Sequence, residues 1–384
     1  MSGHKRTASK AAGGKPAATT VGAAHGQVVL VLQGGGALGA FQVGAYQALH
    51  EAGIEPDWII GTSIGAINAA LIAGNPPEQR LAALEQFWSR ITQPARPPWL
   101  LPAVAAALND FGIMTRGVPG FFEPGSAAWL GIHAEIGIER AAFYDTAPLA
   151  ATLGELLDVG RLNAGAPRLT VGAVNVESGA MRYFDSRCET LGIAHVLASG
   201  ALPPAFPAVR IDGQAYWDGG IYSNTPIEAV LDDDPRHSSL IFAVNVWHAH
   251  GAMPNSIAEV LERQKDIQYA SRAHSHIARQ QQLHQLRHVI RQLTARLPAA
   301  AQKQAEVREL AGYGCGTTMQ VVMLTPPHLD GETHSKDIDF SAEGIAARRE
   351  LGHTQTQAAL TRAPWRAPVD ASVGVVVHAD PGAE

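Results

Sequence analysis

The sequence has little cysteine, no long apolar run and no excess of positive charge. Its two cysteines, Cys188 and Cys315, are too few for a disulfide framework or a four-cysteine zinc site. The longest strongly apolar stretch, Trp99–Leu108, has ten residues and contains Pro102, whereas a membrane-spanning helix needs about 20 residues. The 29 basic and 35 acidic residues give a net charge of −6, which argues against a surface built to bind nucleic acid.

What the chain does have is enough apolar residues for a sizeable core. Hydrophobic residues make up 46% of its 384 residues and charged residues 17%, a composition typical of a folded protein of one large domain or two. The first basic residues are followed by no apolar segment before Val28, which argues against a cleaved secretory signal. We therefore expect a cytoplasmic protein.

The first hundred residues repeat the order strand, tight turn, helix. Residues 1–26, rich in Ala, Gly, Thr and Lys, are predicted to be a disordered tail. The apolar run Val28–Leu32 is typical of a strand buried on both faces, and a glycine cluster and a helix follow it. A second strand at Trp58–Ile60 leads through another turn into a helix that ends near Ala73. This order predicts an α/β fold, with a mostly parallel sheet sandwiched by helices.

The rest of the chain continues the alternation. Further strands are predicted at 168–176, 180–184, 209–217, 240–246 and 318–324. Further helices are predicted at 147–158, 191–199, 256–279, 283–297 and 342–360. We expect residues 27–250 to form the main domain, residues 251–363 a helical C-terminal extension that completes it or packs on it, and residues 364–384 a flexible tail.

Segment 94–124 does not fit the alternation. It holds six prolines, three glycines and four aromatic residues, so it is too irregular for a long element and too apolar for an ordinary loop. A cap over an apolar site and loose packing between two halves of the domain are equally compatible with this composition.

The glycine cluster after the first strand has two interpretations. Gly34, Gly36 and Gly39 fit the G-x-G-x-x-G pattern of a dinucleotide site, which keeps an NAD(P)-binding oxidoreductase open. Such a site also needs an acidic residue at the carboxyl end of the second strand, and Asp57 precedes that strand. Alternatively, the backbone N–H groups of the loop and the helix behind them stabilise an oxyanion formed during acyl transfer.

Two more turns carry candidate catalytic residues. Gly61, Ser63 and Gly65 match the G-x-S-x-G nucleophile elbow between a strand and a helix, although a glycine-rich turn capped by Ser63 has the same pattern. Asp218 ends a predicted strand and precedes Gly219-Gly220, where either a catalytic acid or a plain hairpin turn would fit.

Taken together, the three motifs resemble the bacterial branch of the patatin-like phospholipase family. The loop Gly34–Gly39, the elbow Gly61–Gly65 and Asp218-Gly219-Gly220 occur in the family's order, and segments 198–207 and 224–226 are also similar. The resemblance covers about residues 28–250. Farther on, 339–341 before a helix is similar to a C-terminal extension of one bacterial subfamily.

The resemblance implies a serine acyl hydrolase that acts on lipid esters through a Ser–Asp dyad and an acyl-enzyme, with no cofactor and no metal. The implied site comprises the nucleophile Ser63, the base Asp218, the oxyanion-loop glycines Gly34, Gly35, Gly36 and Gly39, and the supporting glycines Gly61, Gly65, Gly219 and Gly220. Leu38 stands where the family usually has Lys or Arg, which leaves backbone amides as the main oxyanion donors. A catalytically idle lipid-binding protein on the same fold is the other alternative.

One predicted helix is basic and amphipathic. Between Ile267 and Ala305 there is no acidic residue, and leucines and an isoleucine at 283, 286, 290, 293 and 297 form an apolar seam. Segment 272–296 is therefore predicted either to contact the inner face of an anionic membrane or to pair with another helix. The histidines at 274, 276, 284 and 288 lack nearby carboxylates, so we expect no metal site there.

Overall fold

The computed structural model describes residues 25–94, 108, 111–126, 130–329, 334–370 and 373–379. The predicted N-terminal tail lies outside the described residues up to residue 24. So do parts of segment 94–124 and of the predicted C-terminal tail.

The strands follow the apolar runs of the sequence. They are β1 Gln27–Leu32, β2 Trp58–Thr62, β3 Glu123–Pro124, β4 Tyr144–Asp145, β5 Arg168–Asn175, β6 Met181–Asp185, β7 Val209–Ile211, β8 Gln214–Asp218, β9 Ser239–Val244, β10 Met319–Leu324 and β11 Val375–His378. Nearly every residue of β1, β9 and β10 is buried, as expected for strands covered on both faces.

Of the described strands, nine form one sheet in the order β11-β10-β9-β1-β2-β5-β8-β7, and β6 also pairs with β5. Neighbours from β11 to β5 are parallel, whereas β6 and β8 run antiparallel to β5 and β7 runs antiparallel to β8. β3 and β4 pair separately. The prediction of an α/β fold with a mostly parallel sheet is confirmed.

β2 and β8 share one edge of β5. β6 pairs with β5 from Thr170 to Val174, and both β2 and β8 pair with residues inside that span, so they occupy the opposite edge. β2 ends with Thr62 opposite Gly172, and β8 arrives from the other direction and ends with Asp218 opposite Ala173. The carboxyl ends of β2 and β8 therefore meet head to head.

Helices cover both faces of the sheet. They are α1 Ala40–Glu51, α2 Ile64–Ala73, α3 Pro77–Ile91, α4 Ala147–Leu156, α5 Val159–Leu162, α6 Ile193–Ser199, α7 Glu228–Leu231, α8 Ile257–Arg296, α9 Ala299–Gln302, α10 Ala305–Ala311 and α11 Ala342–Arg362. α1, α2, α3, α4, α6 and α11 contribute to the larger core, and α7 and α8 contribute to the smaller core on the other face. Because β10, β11 and α11 belong to this sheet and core, the predicted boundary at residue 250 falls within one continuous structure.

Two predicted elements have different bounds. The strand predicted at 209–217 is the hairpin of β7 and β8, because Asp212 and Gly213 both have positive φ angles, as a tight hairpin turn requires. The two helices predicted at 256–279 and 283–297 are one helix, α8, since Gln280–Gln282 between them contains neither Gly nor Pro.

The flexible tail predicted at 364–384 is wrong for most of its described residues. Trp365 is buried in a 3₁₀ turn and contacts the ring of Phe242 edge-on at 5.5 Å. The short valine run forms β11, which pairs with β10 at the edge of the sheet. The prediction rested on the Pro- and Ala-rich composition and gave no weight to Trp365 and the valine run, which pack against the core and the sheet.

The C-terminal half of α8 packs through its polar face. His284 and His288 are buried and donate to the carbonyl oxygens of Leu231 (3.4 Å) and Thr317 (2.9 Å). Leu286 and Leu293, from the predicted apolar seam, are exposed on the opposite side. The spacing therefore predicted the amphipathic helix but not which face is buried. Among the described helices, none has the length and hydropathy needed to span a membrane.

Candidate active site

Ser63 lies on a strained turn between β2 and α2. Its φ of 56° and ψ of −127° are unusual for a residue with a side chain, as expected for a nucleophile elbow. A Cβ atom at Gly61 would overlap the backbone of Gly65, and one at Gly65 would overlap the carbonyl oxygen of Leu32. Both glycines of the motif are therefore required by close packing of the backbone.

Ser199, at the end of α6, holds the turn through hydrogen bonds. The amide of Ser63 donates to both the carbonyl oxygen and the hydroxyl of Ser199, each at 3.1 Å. The Ser199 hydroxyl in turn donates to the carbonyl oxygen of Gly172 on β5 at 2.6 Å. Ser199 belongs to segment 198–207, and its hydrogen bonds hold that segment against the turn that carries Ser63.

Asp218 is buried beside Ser63. The amide of Gly220 donates to its Oδ1 at 2.7 Å, and the Ser63 side chain lies close enough to the carboxyl group to lower its pKa. Burial raises the pKa of Asp218 to about 7, although the nearby Ser63 side chain and the Gly220 amide oppose that rise. The sequence argument placed Asp218 at a carboxyl end of parallel strands. In the structure it ends an antiparallel strand, and the head-to-head arrangement brings it to Ser63.

Gly35 and Gly36 form the part of the glycine loop with open donors. Both line the same cavity as Ser63, and within the described residues neither amide donates to another protein group. Gly36 has a φ of +54°, and a Cβ atom there would overlap the carbonyl oxygen of Asp337. Glycine is therefore the residue that fits this position.

The two outer glycines predicted for the oxyanion loop have other roles. The Gly34 amide donates to the carbonyl oxygen of Asn224 at 3.1 Å, so it is already used. Gly39 does not line the cavity and lets α1 approach Ile64 and Trp88 closely. Leu38, where the family usually has a basic residue, is buried in the core.

Gln33 and Trp247 hold the loop and were missed by the sequence argument. The Gln33 side chain accepts from the amides of Val246 (2.5 Å) and Trp247 (3.0 Å) and donates to the hydroxyl of Thr225 (2.6 Å). The Trp247 indole donates to the carbonyl oxygen of Gly34 at 2.8 Å. A polar Gln33 directly after a buried apolar strand was the only signal in the sequence.

Ser63, Asp218, Gly35 and Gly36 face a mainly apolar cavity of about 180 Å³. Aromatic side chains form much of its wall, and the cavity is lined in part by Phe121, Phe122, Phe206 and Phe340. The Phe121 ring lies 5.7 Å from that of Phe340, and the Phe122 ring 5.2 Å from that of Phe206. The described end of segment 94–124 thus walls an apolar site, as the cap interpretation requires.

The C-terminal region contributes to the cavity. Tyr269, Asp337, Ile338 and Phe340 all line it, and Lys265 pairs with Asp337 at 2.7 Å. Burial, with smaller contributions from the charges of Asp218 and Asp337, raises the pKa of Tyr269 to about 12. The extension therefore forms part of the site wall, which its sequence did not indicate.

The interpretation of the glycine loop as a dinucleotide site finds little support in this geometry. Asp57 accepts a hydrogen bond from the Val28 amide at 2.8 Å at the amino end of β2, far along the strand from the glycines. No histidine lines the cavity among the described residues, and the described residues contain no cluster of three side chains able to bind a metal.

An α/β fold, a strained elbow serine and a buried aspartate define a class of site found in serine acyl hydrolases. A family model described as patatin-like phospholipase matches residues 30–231, which is more than half of the chain, and a second, described as patatin phospholipase, matches residues 267–372. The chain belongs to the patatin-like phospholipase family.

Individual relatives match over short regions. The triacylglycerol lipase ptl3 of Schizosaccharomyces pombe is 39% identical over 84 residues, 21% of this chain and 17% of the relative. The lysophospholipase nte1 of Aspergillus terreus is 65% identical over 46 residues, 12% of this chain and 3% of the relative. This chain thus spans only a small part of these curated relatives. The solved structure of VipD from Legionella pneumophila aligns with 87% of this chain and 67% of its own, at 16% identity and a TM-score of 0.37.

The Gly36→Ala substitution tests the tight contact between the glycine loop and the C-terminal region. We expect it to lower both the urea unfolding midpoint and the ester hydrolysis rate, because the new Cβ would displace Asp337. Gly53→Ala is the matched control: Gly53 also has a positive φ, +72°, but open space where the Cβ would be. The control should show only the backbone strain of about 1 kcal/mol. Equal effects of the two substitutions would contradict the contact.

Proposed function

We propose that the protein hydrolyses acyl esters of lipids, with Ser63 as nucleophile and Asp218 as its base. The observation that carries the proposal is a serine held in a strained elbow beside a buried carboxyl group whose pKa it lowers, with both residues lining one apolar cavity. Membership of the patatin-like phospholipase family supports the same conclusion.

In the first half-reaction, Ser63 Oγ attacks the ester carbonyl carbon while its proton passes to Asp218. The carbonyl oxygen gains negative charge, and the open amides of Gly35 and Gly36 are placed to donate to it. Asp218 then returns the proton to the leaving alcohol oxygen as the ester C–O bond breaks. The acyl group remains on Ser63 as an acyl-enzyme.

In the second half-reaction, water attacks the acyl-enzyme and gives its proton to Asp218. The tetrahedral intermediate collapses, Ser63 regains a proton from Asp218, and the free acid leaves. One carboxyl group thus serves as base and acid in both steps, so no histidine is required.

Burial is what makes an aspartate adequate for this role. An unperturbed Asp carboxylate has a pKa of about 3.9 and is a weak base for a serine hydroxyl. With its pKa raised to about 7, Asp218 is a stronger base and is still substantially ionised near neutral pH. The apolar wall that raises the pKa also binds the acyl chain, so the lipid substrate and the base depend on the same environment.

Two predictions from the sequence stay predictions. Contact of segment 272–296 with a membrane is untested, and the side chains of 271–274 lie outside those described. A catalytically idle lipid-binding protein would keep the apolar cavity without turnover, and the hydrolysis assay below separates it from the enzyme.

Substitution of either dyad residue should abolish most of the activity. We expect Ser63→Ala and Asp218→Asn each to lower kcat/KM for a series of p-nitrophenyl acyl esters by about two or more decades, because one removes the nucleophile and the other its base. Asp212→Asn is the matched control, since Asp212 is exposed in the hairpin turn that precedes β8 and asparagine tolerates its positive φ. A common residual rate in all four proteins would contradict the proposal.

The pH profile should report Asp218. The carboxyl group accepts a proton only when ionised, so kcat/KM should fall about tenfold per pH unit below about pH 7 and level off above it. Product should be quantified by chromatography, because the absorbance of nitrophenol itself changes with pH. A rate that stays constant down to pH 5 would mean that a group with an ordinary carboxyl pKa controls the reaction.

A further inference from the structure

Phe111 and Met114 form an exposed apolar pair beside the cavity. Residues 111–116 are helical, so positions 111 and 114 lie on neighbouring turns of one helix face. Their exposed fractions are 66% and 62%, whereas Ile113 between them is buried in the cavity wall. This short helix therefore presents one apolar side to the cavity and another to solvent.

Met114 marks the mouth of the cavity. Among the described residues that line the cavity, it is the one with an exposed side chain, and the others are buried or partly buried. Its carbonyl oxygen accepts a hydrogen bond from the hydroxyl of Tyr144 at 3.0 Å, and Tyr144 also lines the cavity. The opening to the site thus passes Met114 and Tyr144.

The apolar surface continues from the mouth along the next loop. Phe143 precedes Tyr144, is exposed, and lines a small surface pocket together with Ile132. Ile132 and Leu130 are themselves exposed, Ile132 to 83%. We call these five residues the mouth patch: Phe111, Met114, Leu130, Ile132 and Phe143.

The charges around the mouth patch do not favour an anionic partner. Segments 111–126 and 130–145 carry two arginines and four acidic residues, so their charge is slightly negative. Arg210 pairs with one of these acids, Glu139, at 2.6 Å. A surface of this kind fits a lipid layer whose head groups carry no net charge.

We propose that the mouth patch docks the protein on a zwitterionic phospholipid surface, so that an ester can pass from the lipid layer into the cavity beside Met114. The argument rests on continuity between the patch and the mouth of the cavity, and it builds on the lipid-ester hydrolase function proposed above. Burying large exposed side chains in the interface supplies the binding energy, because apolar transfer from water is favourable.

The exposed leucine face of α8 is less well placed for this task. Tyr269 of α8 lines the cavity, whereas His288 contacts Thr317, which precedes the amino end of β10. Leu286 and Leu293 therefore lie toward the amino ends of the parallel strands, whereas the cavity lies at their carboxyl ends. Lipid bound there would be separated from the mouth by the depth of the sheet.

Sedimentation with phosphatidylcholine vesicles tests the docking surface. Phe111→Glu/Ile132→Glu changes two patch residues that do not line the catalytic cavity, and Leu286→Glu/Leu293→Glu is the matched control, with exposed fractions of 60% and 59%. Binding is measured in a Ser63→Ala background so that turnover does not alter the vesicles. Hydrolysis of a soluble short-chain p-nitrophenyl ester, measured in the active background, reports folding and chemistry.

We expect the patch variant to lose vesicle binding by about tenfold or more and to keep its soluble-ester rate within about twofold, while the control variant keeps both. Vesicle binding equal to that of the parent in the patch variant, loss of binding in the control variant instead, or no binding by the parent would each overturn the proposal. If the parent binds vesicles through the patch but hydrolyses no ester, the hydrolase function fails and the docking surface stands.

Discussion

The head-to-head ends of β2 and β8 along one edge of β5 are the constraint on which the rest of the site depends. A nucleophile elbow alone places a serine above a parallel sheet, but a base must come from another part of the chain. Here the antiparallel β8 brings Asp218 to the same level as Ser63, since Asp218 and Thr62, which precedes Ser63, pair with consecutive residues of β5. The motif glycines allow close contacts around this point: a Cβ at Gly65 would overlap the carbonyl oxygen of Leu32, and one at Gly219 would overlap that of Gly172.

The second requirement is that the carboxyl group of Asp218 is buried. Burial raises its pKa to about 7, and the Gly220 amide and the Ser63 side chain keep the ionised form accessible. Phe121, Phe206 and Phe340 form an aromatic wall around the cavity that Asp218 and Ser63 also line. In this account substrate affinity and base strength have one physical origin. The C-terminal region, which supplies Phe340, is built into the same sheet through β10 and β11.

The sequence predicted the fold class and the turn that carries Ser63, because local rules govern them, whereas Asp218 was assigned through the family resemblance. A strand followed by a tight turn and a helix, with Gly61 and Gly65 at backbone contacts, can be recognised without knowing the rest of the molecule. Contacts between distant segments could not be predicted in this way. Gln33 and Trp247, which hold the glycine loop, are hydrogen-bonded to each other although they lie more than 200 positions apart in the sequence. The buried face of α8 was also hidden, because regular leucine spacing defines an amphipathic helix but not the side that meets the core. There, the polar His284 and His288 are buried because backbone carbonyls accept their hydrogen bonds.

The most direct test of the central claim is the rate at which a p-nitrophenyl phosphonate modifies the enzyme, followed by intact-mass measurement and peptide mapping. Such a reagent attaches to an activated nucleophile and mimics the tetrahedral intermediate, so it reports the first chemical step without product release. The account predicts a single modification at Ser63 that is slowed by about two or more decades in Asp218→Asn. Modification at another residue, or modification of Ser63 at an unchanged rate in Asp218→Asn, would contradict it.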